Sequence, residues 1–275
     1  MTTAVQTPLR LRIRTCPLCG GGSGAEADAP QCGAHVDADA ARYGLEAAPV
    51  PLRRCSNCEM RFFDLLEDVN TEGQIYAHSA LSMDAPRPRH HALARLIRVA
   101  GLGRTGLELG SGACHVGRLL PSDHGVTAID RKPRSAGAGE NLRFIDADIT
   151  ALADDIYPLA SADWILLDNV LEHLPAFMPL LAQARRWLAP GGRFLVSVPN
   201  GRTLRRWLGG RQLREVYRPV EHVNIFDPAT LDAAFASIGA APQRIGMRPR
   251  SVFEAAMAAS LLGWAPFGLY RVYAP

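Results

Sequence analysis

Four cysteines in the first sixty residues carry the clearest chemistry in the chain. Cys16-Pro17-Leu18-Cys19-Gly20 and Cys55-Ser56-Asn57-Cys58 are two CxxC pairs. Each sets two thiolates on one tight turn, and two such turns can close a tetrahedral S4 site, the usual environment of structural Zn2+. Cys32-Gly33-Ala34-His35 also has ligand spacing, so Cys16, Cys19, Cys32 and His35 form a rival Cys3His set. The two CxxC pairs are favoured because Leu52-Arg53-Arg54 and Met60-Arg61-Phe62-Phe63 frame the second pair like strands, which the Gly/Ala-rich surroundings of Cys32 do not. Four cysteines leave no coordination position open to a substrate. The expected role of the metal is therefore structural, supplying folding energy to a segment too small to bury a core of its own.

A second constellation begins at Leu107-Glu108-Leu109-Gly110-Ser111-Gly112-Ala113-Cys114-His115-Val116-Gly117. It reads as a strand, a small-residue turn and the start of a helix. Gly110 and Gly112 let backbone approach a ligand closely, and the helix start offers free N–H groups to an anion. Asp130 follows about 20 residues on, at the end of the next apolar run, where a carboxylate can accept both hydroxyls of a ribose. A dinucleotide site and an S-adenosylmethionine site share that logic.

The elements that must position these residues are legible in the cadence of the chain. Short apolar runs at 106–109, 125–130, 142–145, 164–167 and 193–198 alternate with helical segments, the pattern of a parallel α/β sheet. One helix presents Leu180, Leu181, Ala184, Trp187 and Leu188 on one side, with Pro190-Gly191-Gly192 as its stop. Ahead of the first run, Leu93, Leu96, Ile97 and Ala100 share a face of an amphipathic linker helix whose His90 and His91 are expected in solvent. The apolar stretch from Val252 through Trp264 and Phe267 to Tyr273 is expected to complete the sheet and pack a last helix. The domains so read are 1–65 (cysteine module), 66–104 (helical linker) and 105–275 (α/β domain).

Composition narrows the possibilities further. The chain has 275 residues, 48% of them hydrophobic and 21% charged, which is the balance of a folded protein. A net charge of +3 and 7% aromatics give no global case for nucleic-acid binding. No apolar stretch reaches the roughly 20 residues of a membrane span. The start Met1-Thr2-Thr3-Ala4 lacks the features of a secretory signal, so a cytoplasmic location is expected.

The order of the motifs resembles a known family. Glu108-Leu109-Gly110-Ser111-Gly112 is similar to motif I of class I S-adenosylmethionine-dependent methyltransferases, with Cys114 where the family usually has a third glycine. Residues 144–149 (Phe-Ile-Asp-Ala-Asp-Ile) are similar to their third-strand motif, and 162–174 to their fourth-strand motif, which includes Asp168-Asn169-Val170-Leu171-Glu172-His173. The turn Leu188-Ala189-Pro190-Gly191-Gly192-Arg193 matches their post-motif turn. The resemblance covers roughly residues 105–255 and implies a Rossmann-like seven-stranded α/β methyltransferase sheet, here with a small N-terminal module that resembles a zinc ribbon. It implies that Gly110 and Gly112 line the methionine and ribose, Glu108 fixes the loop and Asp130 takes the ribose diol. Asp148 with Ile149 would meet the adenine, with Asp146 as the alternative register. Asn169 and Val170 would flank the adenosine and methionine, and His173 would sit beside the cofactor as a structural residue.

Tyr217-Arg218-Pro219-Val220-Glu221-His222-Val223-Asn224-Ile225-Phe226 resembles the EHxxxF element of a subgroup that includes zinc-bearing sugar C-methyltransferases. That resemblance implies His222 as general base, or as a lid residue, with Glu221 and Tyr217 as its catalytic companions. Val220 stands where the subgroup commonly has tyrosine, so O-methylation of another small-molecule acceptor is an equal expectation. Arg202, Arg205, Arg206, Arg211, Arg214 and Arg218 against Glu215 make the segment 199–222 an Arg-rich lid. It is either a solvated face or a clamp for an anionic acceptor. Two other readings stand: an rRNA base methyltransferase, because zinc-bearing rRNA guanine methyltransferases have a loosely similar Cys3His site, and a non-catalytic zinc-ribbon interaction protein.

Overall fold

Strands that are apolar on both faces must be covered on both faces, and that requirement organises the structure, a computed structural model describing residues 11–22, 24–26, 50–66, 85–131, 139–202, 216–219, 221–262 and 268–275. Cys32, His35, Arg205, Arg206, Arg211, Arg214, Glu215, Val220, Trp264 and Phe267 lie outside the described residues. In chain order the first elements are β1 (Leu11–Arg12), β2 (Ala25–Glu26), β3 (Leu52–Arg54), β4 (Arg61–Phe63), β5 (Leu65–Leu66) and α1 (Pro88–Val99). There follow β6 (Thr105–Leu109), α2 (His115–Arg118), β7 (Gly125–Asp130), β8 (Leu142–Asp146), β9 (Ala162–Asp168) and α3 (Met178–Trp187). Then come β10 (Leu188–Pro199), β11 (Asn224–Ile225), α4 (Pro228–Ala236), β12 (Ala241–Gln243), α5 (Val252–Leu261) and β13 (Gly268–Ala274).

Seven strands form one sheet in the order β12-β13-β10-β9-β6-β7-β8, parallel from β10 to β8, with β13 antiparallel to both β10 and β12. This is the expected α/β architecture. Alternation along β9 sends Ile165 and Leu167 into a core shared with α3 and α4, and Trp164 and Leu166 into one shared with α1 and α5. From β6 the chain builds outward in one direction through β7 and β8, then crosses to β9 on the other side. The crevice at the carboxyl ends of β6 and β9 is therefore the topological switch point where open α/β sheets bind ligands.

Two local expectations are corrected. The helix α3 ends at Trp187 rather than running to a stop at Pro190-Gly191-Gly192. Leu188 already pairs with Ala162 as the first residue of β10, and the Pro-Gly-Gly turn is an irregularity between Leu188 and Arg193 in that pairing. Its glycine Gly191 takes the left-handed φ of 77°. His90, expected in solvent, is 3% exposed and faces the end of β9, while His91 is exposed. Among the described residues no helix is long and apolar enough to cross a membrane.

The N-terminal module is joined to the α/β domain through backbone. Its sheet runs β11-β4-β3-β2, and β11 comes from far along the chain, separated from Glu221-His222 by one residue. Asn224 pairs with Phe62, and Ile225 with Arg61. Cys16, Cys55, Met60 and Phe62 lie in the same apolar core as Ile165, Phe177 and Phe226, so the module and this face of the large sheet share one interior.

Arg14 fastens the junction. Its guanidinium donates to Phe63 O (2.9 Å), Pro175 O (2.8 Å), Asn224 Oδ1 (2.8 Å) and Val223 O, and it lies 5.0 Å from the centre of the Phe62 ring. Burial lowers its pKa to about 10, against Asp64 and Cys16, so it remains charged at neutral pH. Asn224 in turn donates to Leu171 O (2.9 Å) and Leu174 O (2.7 Å), carrying the connection to the turn after β9. A lysine keeps the charge but cannot reach four acceptors spread around a planar fork. Arg14→Lys is therefore expected to cost about 2–4 kcal/mol of unfolding free energy, since it strands part-buried carbonyls. Denaturant titration of the two proteins checks this.

Candidate functional site

The two CxxC turns have the same local structure. Gly20 N donates to Cys16 O (2.9 Å) and Glu59 N to Cys55 O (3.0 Å), and Cys16 N and Cys55 N donate to Gly21 O and Met60 O, both at 2.9 Å. The residue after each pair takes a left-handed φ, 69° at Gly20 and 64° at Glu59. Facing each other, the turns bring Cys16, Cys19, Cys55 and Cys58 together with all four sulfurs within 4.8 Å of one another. Cys16 and Cys58, and Cys19 and Cys55, are 3.5 Å apart. A tetrahedron of thiolates about 2.3 Å from a zinc ion has edges of ~3.8 Å, so the donor set fits. At Cys55 burial works against ionisation, but the N–H groups of Cys58 and Asn57 and the neighbouring thiols outweigh it and bring the pKa to about 7. These four are the ligand set favoured from the sequence, brought together among the described residues.

At the switch point the loop after β6 is held by its own carboxylates. Glu108, buried beneath it, accepts from Gly117 N at 2.5 Å, and burial raises its pKa to about 7 against that hydrogen bond. Asp130, at the end of β7, accepts from Gly112 N at 2.8 Å. Gly110 has a φ of 64°, and a Cβ there would meet Val170 Cγ2 at 2.9 Å and Ile149 Cδ1 at 3.4 Å. Gly110, Ile149 and Val170 are thus brought to one place from three different loops. Cys114 has a φ of 51° and a ψ of 47°, the left-handed conformation that explains why glycine is usual at its position. Burial pushes its thiol pKa up, so it is held as a neutral thiol.

Asn169 also takes a left-handed φ of 55°; its N donates to Ser197 O at 3.0 Å, and its Oδ1 accepts from Ser197 Oγ at 3.2 Å. Asp148 accepts from Thr150 N (2.9 Å) and Thr150 Oγ1 (2.8 Å) and pairs with Arg131, so its carboxylate organises a turn at the rim of the crevice. Although burial raises its pKa, these partners leave it lowered overall. Asp146 ends β8 opposite Asp130 and is exposed.

The segment after β10 returns to the turn that follows β9. His222 and His173 meet edge to face with ring centres 4.8 Å apart. His173 Nδ1 donates to Glu221 O (2.7 Å) and His222 Nδ1 to Val216 O (3.1 Å), which leaves the Nε2 lone pairs as the basic positions. Burial lowers His173 to about 4 and keeps it neutral. Glu221 accepts from Arg218 at 2.7 Å, and Tyr217 OH donates to Gly201 O at 3.1 Å. The two described lid arginines are thus paired with carboxylates, Arg218 with Glu221 and Arg202 with Asp227 at 2.7 Å.

Residues 83–243 match the model of a methyltransferase domain family. The chain belongs to the S-adenosylmethionine-dependent methyltransferases. No curated protein matches the sequence of this methyltransferase. Among solved structures it is similar to 1,6-didemethyltoxoflavin-N1-methyltransferase of Burkholderia thailandensis, solved with 1,6-didemethyltoxoflavin and S-adenosylhomocysteine bound. The identity is 20%, over 90% of this chain and 93% of the other, with a TM-score of 0.48. It is also similar to an S-adenosylmethionine-dependent methyltransferase of Mesorhizobium loti, at 19% identity over 66% and 97% of the chains and a TM-score of 0.44. A third is the N-methyltransferase NodS of Bradyrhizobium japonicum, at 20% identity over 67% and 93% with a TM-score of 0.43.

Three residues that sequence reasoning gave no role stand at this site. Arg89 Nε donates to Asp168 Oδ2 at 3.0 Å, and His90 Nε2 faces the same oxygen at 3.5 Å. The His90 ring stacks on His115 at 4.8 Å, and its Nδ1 accepts from Arg87 N. Glu172 is the third: it is 1% exposed, one residue before His173. For His90 the signal was there in its spacing: it lies three residues before Leu93, on the same face of a helix that Pro88 starts. Burial lowers His90 to about 4, opposed by Asp168. The unfolded chain titrates near 6.5 and so binds more protons between these values; stability is present above 6.5 and lost as pH falls toward 4. His90→Gln is expected to lose about 2 kcal/mol less than the parent between neutral and acid pH, measured by urea titration at the two extremes.

Proposed function

We propose that this methyltransferase acts on a small-molecule acceptor, methylating an oxygen or carbon whose proton His222 removes. S-adenosylmethionine, when bound, supplies the electrophilic methyl group. Gly110 and Gly112 allow its methionine and ribose close to backbone, with Glu108 fixing the loop. Asp130 accepts from the ribose hydroxyls, Asp148 and Ile149 border the adenine, and Asn169 and Val170 flank the adenosine. Cys16, Cys19, Cys55 and Cys58 hold a structural Zn2+ whose role is to fold the module.

The observation that carries the acceptor side of this reading is the meeting of His222 with His173. His173 belongs to the turn Leu171–His173, directly after Asn169-Val170, so His222 stands at the edge of the cofactor loop. Its Nδ1–H is committed to Val216 O, and its Nε2 can take a proton. Glu221, paired with Arg218, and the tethered Tyr217 support this segment. Mild net charge and low aromatic content favour a small acceptor over RNA.

Two substitutions separate the two sides. Gly110→Ala places a Cβ against Val170 at a left-handed φ, and is expected to weaken S-adenosylhomocysteine binding about tenfold or more by calorimetry. His222→Gln is expected to leave that affinity unchanged and to slow methyl transfer by roughly 10²–10⁴-fold. Turnover is read as release of S-adenosylhomocysteine against a panel of sugar and phenol acceptors. An unchanged rate in the His222 variant contradicts the assignment of the base.

A further inference from the structure

We propose that Glu172, His173 and His222 form a second metal site, separate from the four cysteines, which takes one divalent transition-metal ion such as Zn2+ through two imidazoles and one carboxylate. One ligand atom of each residue lies within 4.8 Å of the others. Such a three-residue set binds with the donors about 2.1 Å from the ion and leaves a position open.

Glu172 is the reason to look beyond a histidine pair. Both its carboxylate oxygens are buried with no hydrogen-bond partner among the described residues. His173 Nε2 is 3.8 Å from its Oε1, too far for a hydrogen bond. A buried carboxyl left without a partner is costly, and a cation between it and the histidines removes that cost. The histidines are arranged as ligands are: each gives its Nδ1–H to a backbone carbonyl, Glu221 O for His173 and Val216 O for His222, which fixes the ring and directs the Nε2 lone pair elsewhere. Their ring planes cross at 70°.

The inference rests in its role, though not in its chemistry of binding, on the reading that the acceptor meets His222. With an ion held by Glu172, His173 and His222, the His222 lone pair would be engaged and the metal would supply Lewis-acid polarisation to an acceptor hydroxyl. In the unloaded form His222 takes the hydroxyl proton itself.

The test is metal stoichiometry on the full chain. Parent, Glu172→Gln and His222→Gln proteins are equilibrated at one buffered free Zn2+ concentration, passed through a desalting column and assayed for zinc per chain by mass spectrometry. The parent is expected to carry one equivalent more than either variant, with all three keeping the cysteine-bound ion. Cobalt substitution distinguishes the sites: the thiolate-to-cobalt charge-transfer band persists in the variants, while weaker visible bands from nitrogen and oxygen ligands are lost. Should Glu172→Gln not fold, His222→Gln and the parent's cobalt spectrum decide. Equal zinc in parent and variants, or a change confined to the thiolate band, overturns the site. S-adenosylhomocysteine affinity and turnover are read on the same samples, so an extra ion without methyl transfer sinks the functional reading and leaves the site standing.

Discussion

The pairing of β4 with β11 is the constraint on which the site depends. β11 is two residues long, too short to hold its place by its own hydrogen bonds. It begins two residues after His222 and is secured by Arg14, which sits two residues before the first cysteine and binds Val223 and Asn224. Asn224 then grips the Leu171–Leu174 turn through two carbonyls. The small four-cysteine module thus holds the segment after His222 through the β4–β11 pairing and Arg14, and that segment holds the turn carrying His173 through Asn224. Without the module, the His222 segment would rest on a loop, and loops open at low free-energy cost.

The cofactor side is built differently. It stands on the central strands, whose side chains are almost wholly buried, and its shape comes from backbone conformations that few residues accept. Gly110, Gly112, Cys114 and Asn169 all have positive φ within the same crevice. Buried Glu108 and the Asp130 carboxylate hold the loop in that form before any ligand arrives. The proposed site is therefore preorganised on rigid elements at the glycine loop and tethered at the His173–His222 side.

Much of this was legible from residue types. Parallel strands covered on both faces must be apolar throughout, so β6, β7, β9 and β10 stood out, as did the glycine loop and its acid some twenty residues on. The cysteine pairs announced their geometry because knuckle spacing is local. What was not legible is non-local. β11 has no periodicity to detect, and nothing beside Cys16 indicates that Arg14 reaches across to residues 175 and 223. His90 looks like a surface residue on an Arg-rich helix until Asp168 and His115 are placed beside it. Leu188 fits the apolar face of α3 as well as it fits a strand, and only its pairing with Ala162 decides.

The most direct test of the account is hydrogen exchange of the backbone amides in protein loaded with Zn2+ and in the same protein treated with a chelator to strip the proposed four-cysteine site. If the module holds the acceptor side, amides of residues 171–174 and 221–226 lose protection while those of β6, β7 and β9 keep theirs. Unchanged protection at 221–226 on metal removal would contradict the account.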